Sequence, residues 1–196
     1  MTPQRLIPLF GASTLAAAII LLAAPHAESS SSPPLAQTFE VAMDGTSFYF
    51  EGPTNGNGVP ANGTPFVIQG YIYPDGVFDT NGELSGVLPD GSPEFPDLVR
   101  GTWICRGWHL QDGDAVTGPL VATTQIFDFG PERGRETIIT DGIELADDGV
   151  PFTRAVIGAT GRLAGLDSPL TSCEQIFVGS GVNDSGGFNT EFTFRR

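Results

Sequence analysis

Leu98-Val99-Arg100-Gly101-Thr102-Trp103-Ile104-Cys105-Arg106-Gly107-Trp108-His109-Leu110 is followed, past an Asp112-Gly113 corner, by Leu120-Val121-Ala122-Thr123-Thr124-Gln125-Ile126-Phe127-Asp128-Phe129. Successive side chains of an extended chain point to opposite sides. Trp103, Cys105, Gly107 and His109 therefore share one face of the first run, and Thr102, Ile104, Arg106, Trp108 and Leu110 the other. Aromatic and β-branched residues favour a pleated strand, and an Asx-Gly pair supplies the positive φ of a tight reversal. The two runs read as antiparallel neighbours with one face inside and the other outward or against a partner subunit.

The same pattern extends in both directions. Strands are expected at Thr38–Met43 with Ser47–Phe50 as a bent or split first strand, then Pro65–Tyr73, Leu98–Leu110, Leu120–Phe129, Glu136–Leu145, Phe152–Ile157, Leu170–Val178 and Phe188–Arg195. Asp-Gly pairs at Asp44, Asp75, Asp90, Asp112, Asp141 and Asp148, and Asn-Gly pairs at Asn55, Asn57, Asn62 and Asn81, fall almost entirely between these runs. The mature chain has no clean helical apolar period, so the domain at 38–196 is all-β. Sequential strands with short connections predict a small up-and-down barrel, in which closure removes exposed edges. A two-sheet β-sandwich is the alternative.

The first residues predict export. Arg5 precedes an apolar run through Leu15–Leu22 and small residues ending at Ala27, the pattern of a cleaved signal peptide at 1–27. A membrane anchor is the competing reading, but Pro8 and Gly11 shorten the apolar stretch and no arginine cluster follows it, so no stable membrane span is expected after processing. Residues 28–37 are a Ser/Pro-rich tether. The expected localisation is secreted, periplasmic or extracellular.

Net charge is -14, and all 9 basic residues are arginines. Nucleic-acid binding is excluded as a class, since phosphate backbones are held by clustered Lys and Arg. In an exported chain Cys105 and Cys173 are expected to form a disulfide, with two buried thiols as the alternative. Cys105, Cys173 and His109 have no metal-ligand spacing. Asp112-Gly113-Asp114 and Asp147-Asp148-Gly149 lack the regular oxygen ligands of a calcium loop, so no metal is expected.

Phe152-Thr153-Arg154-Ala155-Val156-Ile157-Gly158-Ala159-Thr160-Gly161-Arg162-Leu163-Ala164-Gly165 reads as a strand running into a glycine-punctuated reversal, with an apolar side chain tucked beneath the chain. Residues 156–165 resemble the Val-Val-Gly-Gly-Thr-Gly-x-Phe-x-x-Ala-x-Gly turn of the dirigent protein and allene oxide cyclase family, with Ala159 in place of its second glycine and Leu163 in place of its phenylalanine. The resemblance implies a calycin-like, eight-stranded antiparallel barrel with an apolar cavity, homo-oligomeric assembly that is often trimeric, and no cofactor. It also implies an isomerase-like or stereo-directing activity, the cyclisation of an oxidised lipid or the coupling of phenoxy radicals. No acidic residue of the family aligns here, so no catalytic residue is carried over.

If the Trp103 face points inward, His109 stands beside an aromatic wall as a candidate acid or base, or is simply a core histidine satisfied by the backbone. Phe177 shares a face with Cys173 and Gln175 and joins Trp103 and His109 as an expected ligand-lining residue. Two functions remain open. One is a barrel that binds a small apolar or aromatic molecule and guides its cyclisation or coupling. The other is a non-enzymatic extracellular module with a filled interior, whose loops at Gly52–Thr64 and Asp79–Asp97 make the contacts.

Overall fold

The computed structural model describes residues 38–78, 84–165, 169–179 and 181–196. The expected signal peptide and tether lie outside the described residues, as does part of the Asp79–Asp97 loop. Eight strands follow in order: β1 (Thr38–Phe50), β2 (Pro65–Pro74), β3 (Gly101–His109), β4 (Leu120–Phe129), β5 (Thr137–Leu145), β6 (Phe152–Ala159), β7 (Ser172–Val178) and β8 (Asn189–Arg195). Each pairs antiparallel with the next, and β8 returns to β1, so the sheet closes into a barrel rather than splitting into a sandwich. β3 starts at Gly101, later than expected, because Pro96–Leu98 form a 3-10 turn with proline in its first position. Among the described residues no helix is long and apolar enough to cross a membrane.

β1 is bent as its sequence suggests. Its pairing with β2 slips between Asp44 and Tyr49, where Asp44 Oδ1 accepts hydrogen bonds from the Thr46 amide at 2.9 Å and hydroxyl at 2.6 Å. Such a bulge breaks the ladder and turns the strand, which opens that end of the barrel. At the opposite end the interior is solid. Phe39 packs edge-on against Phe127 with ring centroids 5.2 Å apart and stacks on Phe194 at 5.1 Å, above Ile72 and Ile138. Burial of each such side chain contributes about 1.5–3 kcal/mol, which makes this plug the main apolar anchor of the cylinder.

The glycine turn after β6 seals the plugged end. Leu163 is buried beneath it, and the Thr160 hydroxyl accepts a hydrogen bond from the Thr137 amide at 2.9 Å. Gly161 has φ +59°, and a Cβ there would collide with the carbonyl oxygen of Arg135. Outside the barrel, residues 84–95 lie over Ala42 and Tyr73, tethered by the Tyr73 hydroxyl to Gly86 O at 2.7 Å and the Tyr71 hydroxyl to Gly91 O at 2.8 Å.

The expected Cys105–Cys173 disulfide is corrected by the topology: both are free, buried thiols. β3 and β7 are four strands apart in either direction around the closed barrel, so the two cysteines face each other across its full width. Eight strands spaced about 4.8 Å apart enclose a diameter of at least ~12 Å, whereas a disulfide needs Cα atoms within about 7 Å. Burial pushes the Cys173 thiol up to about 12 and raises that of Cys105 as well.

Two outcomes follow from this packing. A thiol reagent at pH 8 modifies neither cysteine in the native protein and both after denaturation; a protein whose denatured form shows no reactive thiol would carry the bond after all. Gly161→Ala lowers the unfolding free energy by about 2 kcal/mol or more in a denaturant titration, from left-handed strain plus the collision. Gly130→Ala, with φ +83° and open space around it, loses only the strain, about 1 kcal/mol.

Candidate functional site

Above the phenylalanine plug the barrel is hollow. A cavity of about 320 Å³ opens at the end where β1 bends. Met43, Phe66, Ile68, Val121, Phe177 and Phe188 form its walls, and Val59 and Pro60 of the 52–64 loop stand at its rim. That loop is held down by Asn55 and Asn57, which donate to the Asp114 carboxylate at 2.6 Å each, and by the Asn62 amide to Asp112 Oδ1 at 3.1 Å. The two loops together frame the entrance. Asp112 and Asp114 thus serve as turn and loop clamps.

Trp103, His109 and Phe177 all line this one cavity, and Cys105 lies between the first two. Alternation along β3 places them as expected: Trp103, Cys105 and His109 are buried, whereas Arg106 and Trp108 are exposed. Cys173 sits in the same apolar core but does not line the cavity. Phe177 is fixed between Phe152, stacked at 6.1 Å, and Phe188, edge-on at 5.5 Å.

His109 is held through its backbone. Its amide donates to Thr64 O at 3.0 Å and its carbonyl accepts from the Gly63 amide at 2.7 Å. The ring packs 5.1 Å from Phe66, and neither Nδ1 nor Nε2 has a hydrogen-bond partner. The backbone-satisfied core histidine therefore does not describe the side chain. Burial holds its pKa below the ordinary histidine value, so the ring is neutral at pH 7 and offers one donor and one acceptor to the cavity.

A belt of buried polar side chains separates the cavity from the plug. Arg154 of β6 is fully buried and donates from Nη2 to Thr123 O at 2.8 Å and from Nε to the Thr140 hydroxyl at 3.1 Å. Its Nη1 lies 3.5 Å from Oε2 of Glu144, which lines the cavity. Gln125 donates to Glu144 Oε2 at 2.7 Å and to Gln175 Oε1 at 2.9 Å, and its own Oε1 accepts from the Trp103 indole at 3.4 Å. Burial raises the Glu144 pKa, and Arg154, Thr123 and Gln125 offset part of that rise. The carboxyl thus holds its proton to higher pH than an exposed glutamate does.

The sequence reading missed Glu144 and Arg154, although a signal existed. Each stands inside a β-prone run in phase with inward positions, Glu144 with Ile138 and Thr140, and Arg154 with Phe152 and Val156. A charge in that phase must find a buried partner. Glu144, Cys105 and His109 do not converge to metal-ligating distance; among the described residues only Glu40, Asp75 and Glu191 do, on the outside of the barrel. There the Glu40 oxygens already accept from the amides of Gly76 at 3.2 Å and Phe78 at 2.8 Å, which makes Glu40 a turn clamp.

The unpartnered imidazole has a measurable consequence. Because the folded pKa is depressed, the unfolded chain binds a proton first as pH falls, and the stability linked to His109 declines from about pH 6.5 downward. His109→Phe keeps the ring and removes two unsatisfied atoms. The variant is expected to melt at or above the wild-type temperature and to show a shallower loss of stability between pH 6.5 and 5; parallel pH profiles would show the imidazole to be uncoupled from folding.

The sequence matches no protein-family profile and no curated protein. Solved structures do match: the pterocarpan synthase dirigent protein PsPTS1 with a TM-score of 0.52, at 14% identity over 80% of this chain and 90% of that one. The pterocarpan synthase dirigent protein GePTS1 follows with a TM-score of 0.51, at 12% identity over 87% of this chain and 96% of that one. A pyocyanin demethylase gives 0.47, at 14% identity over 81% and 98%. By fold, this chain is a dirigent-like eight-stranded barrel.

Proposed function

We propose that the barrel binds a small apolar or aromatic molecule and guides its cyclisation or coupling by confinement, as an exported protein. The observation that carries this reading is the 320 Å³ cavity, whose apolar wall is interrupted by few polar groups, among them the unpartnered imidazole of His109 and the buried carboxyl of Glu144. Ligand sites are concave and mostly apolar, with a few placed polar groups that set orientation. The filled-barrel alternative is met at the phenylalanine end only.

Confinement restricts a reactive molecule to conformers near its transition state. A carboxyl whose pKa is raised by burial can donate its proton to an oxygen that gains electron density as a ring closes, and take a proton back when the product forms. Such an isomerisation is redox-neutral. Glu144 fits that role, and neutral His109 orients the polar end of the guest by a hydrogen bond. The dirigent neighbours, both pterocarpan synthases, support the reading.

The test uses Trp103 as reporter in a Trp108→Phe background, with 2-naphthol as the probe. Saturable quenching or a shift of Trp103 emission is expected, and Ala146→Phe, which fills the cavity from its lining, abolishes it. No saturable change, or one that survives Ala146→Phe, would place binding elsewhere or nowhere. Once a turned-over substrate is found, Glu144→Gln lowers kcat by about 100-fold or more while His109→Phe acts mainly on KM. Glu144→Gln also leaves Arg154 buried without a counter-charge, a cost of about 3–5 kcal/mol, so its folding is checked first.

A further inference from the structure

The barrel covers one apolar part of its outer surface and leaves another bare. Over β1 and β2, Phe78 together with Val87 of the 84–95 segment buries Ala42 and Tyr73. Over β3, β4 and β5 nothing from the described residues does the same. There Trp108, Ala122 and Ile143 form one row across three neighbouring strands, and Trp108 and Ile143 are each 59% exposed. Four residues along each strand lies a second row, Ile104, Ile126 and Ile139, and on β6 Ile157, at the register shift next to Ile139's partner Gly158, is 60% exposed. Between the two runs a third row: Arg106, Thr124 and Asp141. Aliphatic and indole side chains on the water-facing side of three consecutive strands mark an interaction surface.

The charges say what covers it. Arg106 is exposed and has no ion pair among the described residues; Asp141 is exposed and accepts only from the Thr124 hydroxyl at 2.8 Å. They stand at the same height on β3 and β5, either side of β4. A two-fold axis parallel to β4 lays β3 of one copy over β5 of the other. Arg106 then meets the partner's Asp141, Trp108 meets the partner's Ile143, and Ile104 meets the partner's Ile139. Every apolar row faces an apolar row, and the Arg106–Asp141 pair forms twice, once on each side of the axis. Face-to-face sheets with nearly aligned strands are an ordinary packing mode, and a self-complementary patch is what an isologous dimer requires.

We infer that the chain forms a two-fold dimer through the outer face of β3, β4 and β5. A three-strand patch is at the small end of specific interfaces, so dissociation in the micromolar range is expected. In sedimentation velocity from 0.1 to 200 μM, the protein passes from monomer to dimer, and Trp108 emission shifts to shorter wavelength over the same range. Arg106→Glu and Asp141→Arg each remain monomeric at concentrations at least tenfold above the wild-type midpoint. An equimolar mixture of the two variants dimerises again, because both inter-subunit pairs are then opposite in sign. Both positions are exposed, and circular dichroism confirms that the variants fold. A monomer at 200 μM, a trimer, dimerisation indifferent to the two substitutions, or a mixture that stays monomeric each overturns the inference.

Discussion

A guanidinium sealed inside an eight-stranded barrel is the constraint around which the remaining interior is arranged. Arg154 has no access to water, so its charge must be matched from the neighbouring strands. Thr123 and Thr140 supply oxygens from β4 and β5, and Glu144 supplies the opposing charge. Those contacts fix the mid-height of the barrel as a polar floor. Apolar side chains crowd beneath it into a solid plug, whereas above it the walls stand apart. The long 3.5 Å separation of Arg154 from Glu144 leaves the carboxyl only partly compensated, so burial outweighs the pairing and raises its pKa.

That arrangement divides labour along the barrel axis. The plug, the Leu163 turn and the β8–β1 seam supply rigidity at one end; bent β1, the 52–64 loop and the 110–119 segment shape an entrance at the other. His109 belongs to the second group but is pinned by backbone bonds to the rim loop, so its ring is positioned without a side-chain hydrogen bond of its own. Positioning by the backbone leaves both nitrogens available to a guest.

The strands were legible because two independent signals agree, alternation within runs and Asx-Gly pairs between them. The exceptions are instructive. Asp141-Gly142 lies inside β5, with Gly142 beside the Arg154 stem, and Asp44-Gly45 lies inside β1 at its bulge. Alternation grouped Trp103, Cys105 and His109 on one face of β3 but left open which face points inward; the closed barrel turns that face to the cavity. Phe177 joins them from β7. The phase of Arg154 and Glu144 was present but masked, because Ile139 and Ile143 make the opposite face of β5 look like the core side although Ile143 points outward. The disulfide failed on parity around the ring: residues on strands four apart are as far from each other as the barrel allows.

The seam between the first and last strands has a consequence for biogenesis. β1 pairs with β8 from Thr38↔Thr193 to Ala42↔Asn189, so the hoop cannot be fastened until the residues near 195 have emerged. Until then Phe39 and Val41 lack the neighbours that bury them, and β1 and β7 are left as open edges that invite pairing with other chains. A polypeptide built this way is at its most vulnerable during synthesis and at its most secure once the two ends meet.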